Sequence, residues 1–319
     1  MRSDGESLAG QRCIVTGGNK GIGLEISRGL MARGAHVVIA ARDQQACLLA
    51  VKELSNQAHS DNPGPADTTR QQLPGSCSCA ALDLEDFASV RAFADQQLRE
   101  LQGSGKQLDV LVNNAGVMGV AAAADGSDRT MRINHLGPFL LTQLLQPAMG
   151  RGCRVVNVSS RMHLQGSLAW SLDGKQLVTP PRDWWWPQYC RSKLANVMFT
   201  AELQRRWGSG PQAIKATSVS PGFVSTGIMS MLPWPLNLAQ PLSCLVARTP
   251  AQGAETAVFA ALPTTQQLPL FLHDCKPMKP AAVAQDPAAC TQLWEWSERM
   301  VGLHTPTAAP QPGPGHSRG

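Results

Sequence analysis

Short apolar runs alternate with longer amphipathic stretches along most of the 319 residues. Arg12–Thr16, His36–Ala41, Cys77–Leu82, Leu108–Asn113, Arg154–Ser159, Ala213–Ser220 and Leu268–Phe271 have the length and side chains of buried strands. Helical periodicity begins near Gly21, Gln44, Leu84, Gly126, Pro187 and Thr249, and a last helix is predicted over Asp286–Val301. Strand–helix alternation of this kind predicts βαβ units and a parallel sheet. No repeat at a fixed period is present, which argues against a solenoid.

Three segments interrupt the alternation. Residues 55–76 are polar and carry Pro63, Pro65 and Pro74, so a long surface loop is expected. Residues 167–187 form an insertion that ends in Trp184, Trp185 and Trp186. Residues 304–319 are rich in Pro and Gly, and a disordered tail is expected there. The domain proper is thus expected over residues 8–303. The most apolar window, 228–247, contains Pro233, Pro235 and Pro241, which oppose a membrane-spanning helix. The N-terminus has no apolar core of a signal peptide. An intracellular protein is expected, cytoplasmic or peripheral to a membrane.

Composition narrows the picture. A net charge of +5 without a run of Lys or Arg gives no support to nucleic-acid binding. The nine cysteines lack paired metal spacing and an even count, so neither a metal site nor a disulfide framework is expected. They read as thiols in a reducing compartment.

The first strand runs into the glycine turn Thr16–Gly23, spaced T-G-x-x-x-G-x-G, and then into a helix. Strand, glycine turn and helix are the context of a dinucleotide site. Gly17 permits the tight turn, and Gly21 and Gly23 allow backbone to approach a pyrophosphate at the helix N-terminus. Asn19, Lys20 and Ile22 fill the turn between them. The second strand ends at Arg42 rather than at an acid, and Lys20 is a second nearby cation. Both suit a ribose 2′-phosphate, so NADP(H) is favoured over NAD(H). Asp43, directly after Arg42, points the other way.

Tyr189 is the only tyrosine in the chain, and Lys193 follows four residues later. That spacing puts both on one face of the predicted helix. A phenol ordinarily titrates near 10, and a neighbouring ammonium should pull it toward neutrality for acid–base work.

TGGNKGIG, Asp83-Leu84, NNAG at 113–116, NH at 134–135, NVSS at 157–160, YCRSK at 189–193 and Pro221-Gly222 resemble the short-chain dehydrogenase/reductase pattern in order, over nearly the whole chain. NHLGPFLLTQLL, NVSSRMH, YCRSKLANVMFT and LWEWSERMVGL look like its retinol dehydrogenase branch, and like the reductase domain of the WW-domain oxidoreductase. The resemblance implies an α/β fold: one doubly wound Rossmann-type domain with a central parallel sheet of about seven strands. It implies hydride transfer between a nicotinamide and a carbonyl or alcohol, with Tyr189 as acid/base. Ser160 would orient the reacting oxygen, Lys193 would bind the nicotinamide ribose, and Asn134 would hold a water that links Lys193 to solvent.

By the same resemblance Asp83 and Leu84 would contact the adenine. Asn113, Asn114, Ala115 and Gly116 would lie under the cofactor. Pro221, Gly222 and Thr226 would border the nicotinamide, with Ser225 competing for the last role. Residues 223–248 would be the substrate loop. Its apolar side chains suggest an apolar substrate, such as a retinal-like molecule or a lipid aldehyde, or peripheral membrane contact. Tetrapyrrole or steroid reduction and a silent cofactor-binding scaffold are the alternatives. Family members often pair through helices beside the site, so a homodimer fits the pattern.

Overall fold

The computed structural model describes residues 7–60, 75–121, 127–178, 184–224, 247–263 and 268–303. Ten strands and seven α-helices of nine or more residues organise them. Eight strands form one sheet: β1 (Arg12–Thr16), β2 (His36–Ala41), β3 (Ser76–Ala81), β4 (Leu108–Asn113), β5 (Met149–Val158), β8 (Lys215–Ser220), β9 (Phe271–His273) and β10 (Lys276–Pro277). Their order is β10-β9-β8-β5-β4-β1-β2-β3, and every pairing is parallel except β10 against β9. A small antiparallel hairpin, β6 (Ala169–Trp170) with β7 (Leu177–Val178), occupies the insertion.

Side-chain alternation along each central strand builds two cores. On β1, Ile14 faces one apolar layer while Cys13 and Val15 face the other. On β5, Val155 and Val156 divide in the same way. Successive residues of a strand point to opposite faces, so a strand covered on both sides reads as a continuous apolar run. One layer is closed by α1 (Gly21–Met31), α2 (Gln44–Ser60) and α6 (Pro250–Ala261). The other is closed by α3 (Phe87–Gly103), α4 (Gly137–Leu145), α5 (Trp185–Trp207) and α7 (Pro287–Met300). Phe93 and Phe139 are fully buried in that second layer, and each such ring stabilises the fold by roughly 2–3 kcal/mol relative to exposure.

Several boundaries differ from the sequence reading for identifiable reasons. β5 begins at Met149, ahead of the expected Arg154, because a register shift against β4 between Leu108 and Val110 absorbs the extra residues. The third helix starts at Phe87, later than expected. Asp83 accepts from Glu85 N (3.0 Å) and Asp86 caps Ala88 N (2.9 Å), so the carboxylates first satisfy a turn. The expected 55–76 loop is shorter, because α2 runs through Ser60 and β3 already begins at Ser76. The two-residue β10 is an eighth strand where about seven were expected.

The thiol reading fails at two positions. Cys47 and Cys79 form a disulfide that ties α2 to β3. They are separated by 32 residues, and only the packing of that helix over that strand brings their Cα atoms to 5.9 Å. The described remainder (Cys13, Cys77, Cys153, Cys190, Cys275 and Cys290) are free thiols. Among the described residues, no helix is long and apolar enough to cross a membrane.

Candidate active site

The sheet changes direction between β1 and β4: from β1 the chain moves outward to β2 and β3, then returns to the far side of β1. In open α/β sheets such a switch point leaves a crevice beyond the strand ends. Here it is a cleft of about 360 Å³ at the C-terminal ends of β1 and β4. Gly17, Asn19, Lys20, Gly21, Ile22 and Gly23 line one wall. Arg42 and Asp83-Leu84 close one end, and Asn114, Ala115 and Gly116 form the floor.

The glycine turn has the geometry the sequence demanded. Gly17 and Gly21 adopt φ of +65° and +56°, a left-handed conformation that other residues resist. A Cβ on Gly23 would lie 2.2 Å from the carbonyl oxygen of Gly17 and 2.5 Å from Asn114 Nδ2. Asn114 fastens turn and floor together by donating Nδ2–H to Thr16 O (2.9 Å), while Thr16 Oγ1 accepts from the backbone of Asn114 and Ala115 (both 3.0 Å). No side chain caps α1 at Lys20, and its first turn holds no acid. Its N–H groups and positive dipole end are therefore available to an anion. The missing Cβ, the uncapped helix and the two cations together fit the phosphates of a dinucleotide.

Asp43 lines the same cleft, and one of its carboxylate oxygens has a local partner. Its Oδ1 accepts from Ala46 N at 2.9 Å and so closes the first turn of α2. Arg42, beside it, is an exposed guanidinium at the cleft.

A second group of side chains meets the cleft at Gly116. A Cβ there would sit 3.4 Å from both Asn134 Oδ1 and Lys193 Nζ. Tyr189 and Lys193 project from α5, and Ser160 follows the end of β5 as N-cap of a 3₁₀ helix, Arg161–Gln165. The phenol stands beside the Ser160 hydroxyl. Ser160 Oγ accepts from Met162 N (3.2 Å), which leaves its own proton to point outward. Lys193 is buried and donates to Val158 O (2.9 Å), and its Nζ lies 5.5 Å from the Tyr189 ring centroid.

The electrostatics run against the simple expectation for Tyr189. Burial pushes its phenol up to about 12, and the Ser160 side chain opposes that shift. Burial lowers Lys193 to about 8. In each case withdrawal from water disfavours the charged form.

Asn134 sits in the middle of a π-helical stretch, Arg132–Leu136, that precedes α4. Such bulges are frequent at functional sites. Its side chain is fully engaged: Oδ1 accepts from Val117 N (2.8 Å), and Nδ2 donates to Val117 O (2.9 Å) and Ser192 Oγ (3.0 Å). The side chain thus fastens the loop after β4 to α5, directly beneath Lys193.

The profile of the family described as short chain dehydrogenase matches residues 11–172. The chain belongs to the short chain dehydrogenase family. It is 36% identical to human retinol dehydrogenase 11 over 93% of this chain and 87% of that protein. It is 34% identical to human dehydrogenase/reductase SDR family member 13, over 93% and 74%, and 33% identical to zebrafish polyprenol dehydrogenase, over 92% and 87%. Among solved structures, an uncharacterized protein of Mycobacterium paratuberculosis aligns with a TM-score of 0.70 at 29% identity, covering 94% of this chain and 96% of that one. The Pseudomonas aeruginosa RhlG/NADP complex aligns at 0.60 and 26%, covering 84% and 95%. Short chain dehydrogenases bind a nicotinamide cofactor and act between CH–OH and C=O, and this chain shares that chemistry at the level of the family.

Other expected residues of this short chain dehydrogenase stand apart or out of view. Pro221 and Gly222 follow β8, where Gly222 (φ +81°) packs over the Arg248 side chain; among the described residues neither lines the cleft. Thr226, its rival Ser225 and most of residues 223–248 lie outside the described residues, as does the tail from 304. The sequence reading missed a polar ladder beneath the site. Asn113 donates to Thr142 Oγ1 (3.1 Å) and Asn157 Oδ1 (2.8 Å), Asn157 donates to Thr200 Oγ1 (2.9 Å), and Thr200 meets Ser218 (2.6 Å). Polar Asn113, Asn157 and Ser218 within otherwise apolar neighbouring strands, facing Thr142 of α4 and Thr200 of α5, are the signal that could have revealed it.

Of the three tryptophans, Trp184 stays largely exposed and Trp185 stacks edge-on between its neighbours. Trp186 Nε1 donates to Gln165 (3.2 Å), tying the start of α5 to the helix that follows Ser160.

Proposed function

We propose that this protein is an NADP(H)-dependent oxidoreductase acting on an apolar carbonyl or alcohol, of the retinal or lipid-aldehyde kind. The observation that carries the reading is one continuous arrangement. Arg42 and Lys20 stand along the cleft, and Gly116 joins its floor to Lys193, Tyr189 and Ser160. Asp43 also lines the cleft, but the bond from Ala46 N occupies its Oδ1, which weakens its claim on an unphosphorylated ribose beside the two cations. The names of its relatives, a retinol and a polyprenol dehydrogenase among them, support an apolar substrate.

In this reading the nicotinamide, when bound, would supply or accept the hydride, and its oxidised form would add positive charge that favours the phenolate. The protein supplies everything else. Ser160 holds the reacting oxygen, and Tyr189 gives that oxygen a proton in reduction or takes one in oxidation. Lys193 anchors the ribose and keeps a cation beside the phenol. Pro221, Gly222 and Thr226 border the cofactor, Asn134 supports the relay behind Lys193, and residues 223–248 cover the substrate within a domain spanning 8–303. An intracellular homodimer, cytoplasmic or in peripheral contact with a membrane, is part of the same proposal.

Loss of reduced-nicotinamide absorbance should be followed with all-trans-retinal, a medium-chain aldehyde and a steroid ketone, using NADPH and NADH in parallel. Turnover with NADPH and an apolar aldehyde is expected. Tight NADPH binding without turnover on any of the three would count against the substrate reading.

A further inference from the structure

The motif NVSSRMH ends in a histidine that the site described so far does not use. His163 is fully buried and lies in the 3₁₀ helix capped by Ser160. Its ring packs on Phe271, with centroids 4.4 Å apart. Nδ1 is 2.7 Å from the carbonyl oxygen of Ser160, and the His163 backbone N–H donates to the same oxygen at 3.0 Å. On the other edge of the ring, Ala281 N donates to Nε2 at 3.2 Å.

These contacts admit one form of the ring. A backbone N–H can only donate, so Nε2 must be the bare nitrogen. Nδ1 then carries the proton, and that proton points at Ser160 O. Burial also favours the neutral ring. Ser160 is therefore gripped at its carbonyl by two donors and at Oγ by Met162 N. Its remaining freedom is the direction of the hydroxyl proton, which is the part that faces Tyr189.

We infer that His163, as the neutral Nδ1–H tautomer, is a positioning residue: it fixes the Ser160 peptide so that the Ser160 hydroxyl is presented to Tyr189 and the reacting oxygen. The inference rests on the proposed role of Ser160. His163 itself touches no reacting atom. Through Ala281 it also joins the site to the segment that leads into α7.

The test compares His163→Leu, His163→Asn and His163→Gln with wild type, and adds Ser160→Ala and the Ser160→Ala/His163→Leu double variant. The probes are NADPH and all-trans-retinal, or the medium-chain aldehyde if retinal is not turned over. Asn carries an amide N–H near the position of Nδ1 and can still hold Ser160 O. Gln reaches the position of Nε2 and serves only Ala281. His163→Leu and His163→Gln should lower kcat about 10- to 100-fold with KM changed less than about threefold, while His163→Asn recovers most of kcat. The double variant should be no slower than Ser160→Ala alone, because the two residues act through one group.

Multiplicative losses in the double variant, or rescue by Gln and not by Asn, would overturn the inference. Nitrogen-15 NMR of the wild-type ring tests it without turnover and without any variant that must fold: an Nε2–H tautomer would overturn it too. A Ser160→Ala enzyme as fast as wild type would instead sink the proposed role of Ser160. That failure is distinguishable, since the ring tautomer would be unaffected.

Discussion

Lys193 reaches out from α5 to donate its ammonium to the carbonyl oxygen of Val158 at the end of β5, at 2.9 Å. That carbonyl belongs to the strand that delivers Ser160 two residues later, so one buried cation links helix and strand at the site. The cation carries a cost. Its pKa falls to about 8, against about 10.5 in an unfolded chain.

The sign of the resulting pH dependence follows directly. Below pH 8 the lysine is charged in both states, and the fold carries the full penalty, on the order of 3 kcal/mol. Between pH 8 and about 10.5 the unfolded chain binds the extra proton, so this group makes wild-type stability rise with pH. Lys193→Met should therefore raise Tm at pH 7 while abolishing turnover. Its advantage over wild type should shrink as pH passes from 8 to 10.5. Thermal melts of both proteins across that range check this.

Tyr189→Phe keeps the ring and its packing but removes the proton. Turnover should fall by roughly 10²–10⁴, the usual contribution of a positioned acid or base. NADPH affinity, read by fluorescence titration, should change less than about threefold. An equal loss of binding and of turnover would place the effect on the fold instead.

Arg42 and Lys20 are the cations at the cleft, and Asp43 is tied to Ala46. Arg42→Ala should weaken NADPH binding about 10- to 100-fold and leave NADH nearly unchanged, since a charge-assisted contact to phosphate is worth about 1.5–3 kcal/mol. Titration with both cofactors decides the point. Parallel losses would remove the basis for NADP(H) preference.

Gly23→Ala places a methyl group against Gly17 O, a backbone atom that has no room to yield. The turn must open, and stability should drop by about 1–3 kcal/mol or more. Cofactor binding should fail with it. Gly103→Ala, where a Cβ meets nothing within 4 Å, is the matched control and should leave both unchanged or slightly improved.

Asp274 and Cys275 adopt φ of +53° and +57° in the turn between β9 and β10. Asp274 is held there by a two-pronged ion pair with Arg248, and Cys275 N donates to Thr256 Oγ1 (3.3 Å). A left-handed conformation costs a side chain of this kind about 1–2 kcal/mol. Cys275→Gly should therefore raise Tm by about 2 °C, and Cys275→Val should lower it. A differential scanning calorimetry pair is sufficient.

The strands that sit in the middle of the sheet were legible in the sequence. Arg12–Thr16, His36–Ala41 and Leu108–Asn113 match residue for residue, because burial on both faces demands an uninterrupted apolar run. The glycine turn was legible too, since Gly17, Gly21 and Gly23 each answer a local backbone requirement. What escaped depends on distant partners. The Cys47–Cys79 bond needs α2 laid over β3, and the Asn113–Asn157–Thr200–Ser218 ladder needs three strands and a helix in register. The direction of the Tyr189 shift escaped for the same reason: adjacency to Lys193 is local, while burial is a property of the whole fold.

The smallest strand protects one border of the sheet. β10 closes one border of the sheet with Lys276 and Pro277, running opposite to its neighbour. A proline has no N–H to offer an incoming strand, and a lysine there sets a charge against it. Two molecules that approach along this border find no template for a shared ladder. On this side of the sheet the border acts as a stop against open-ended strand stacking.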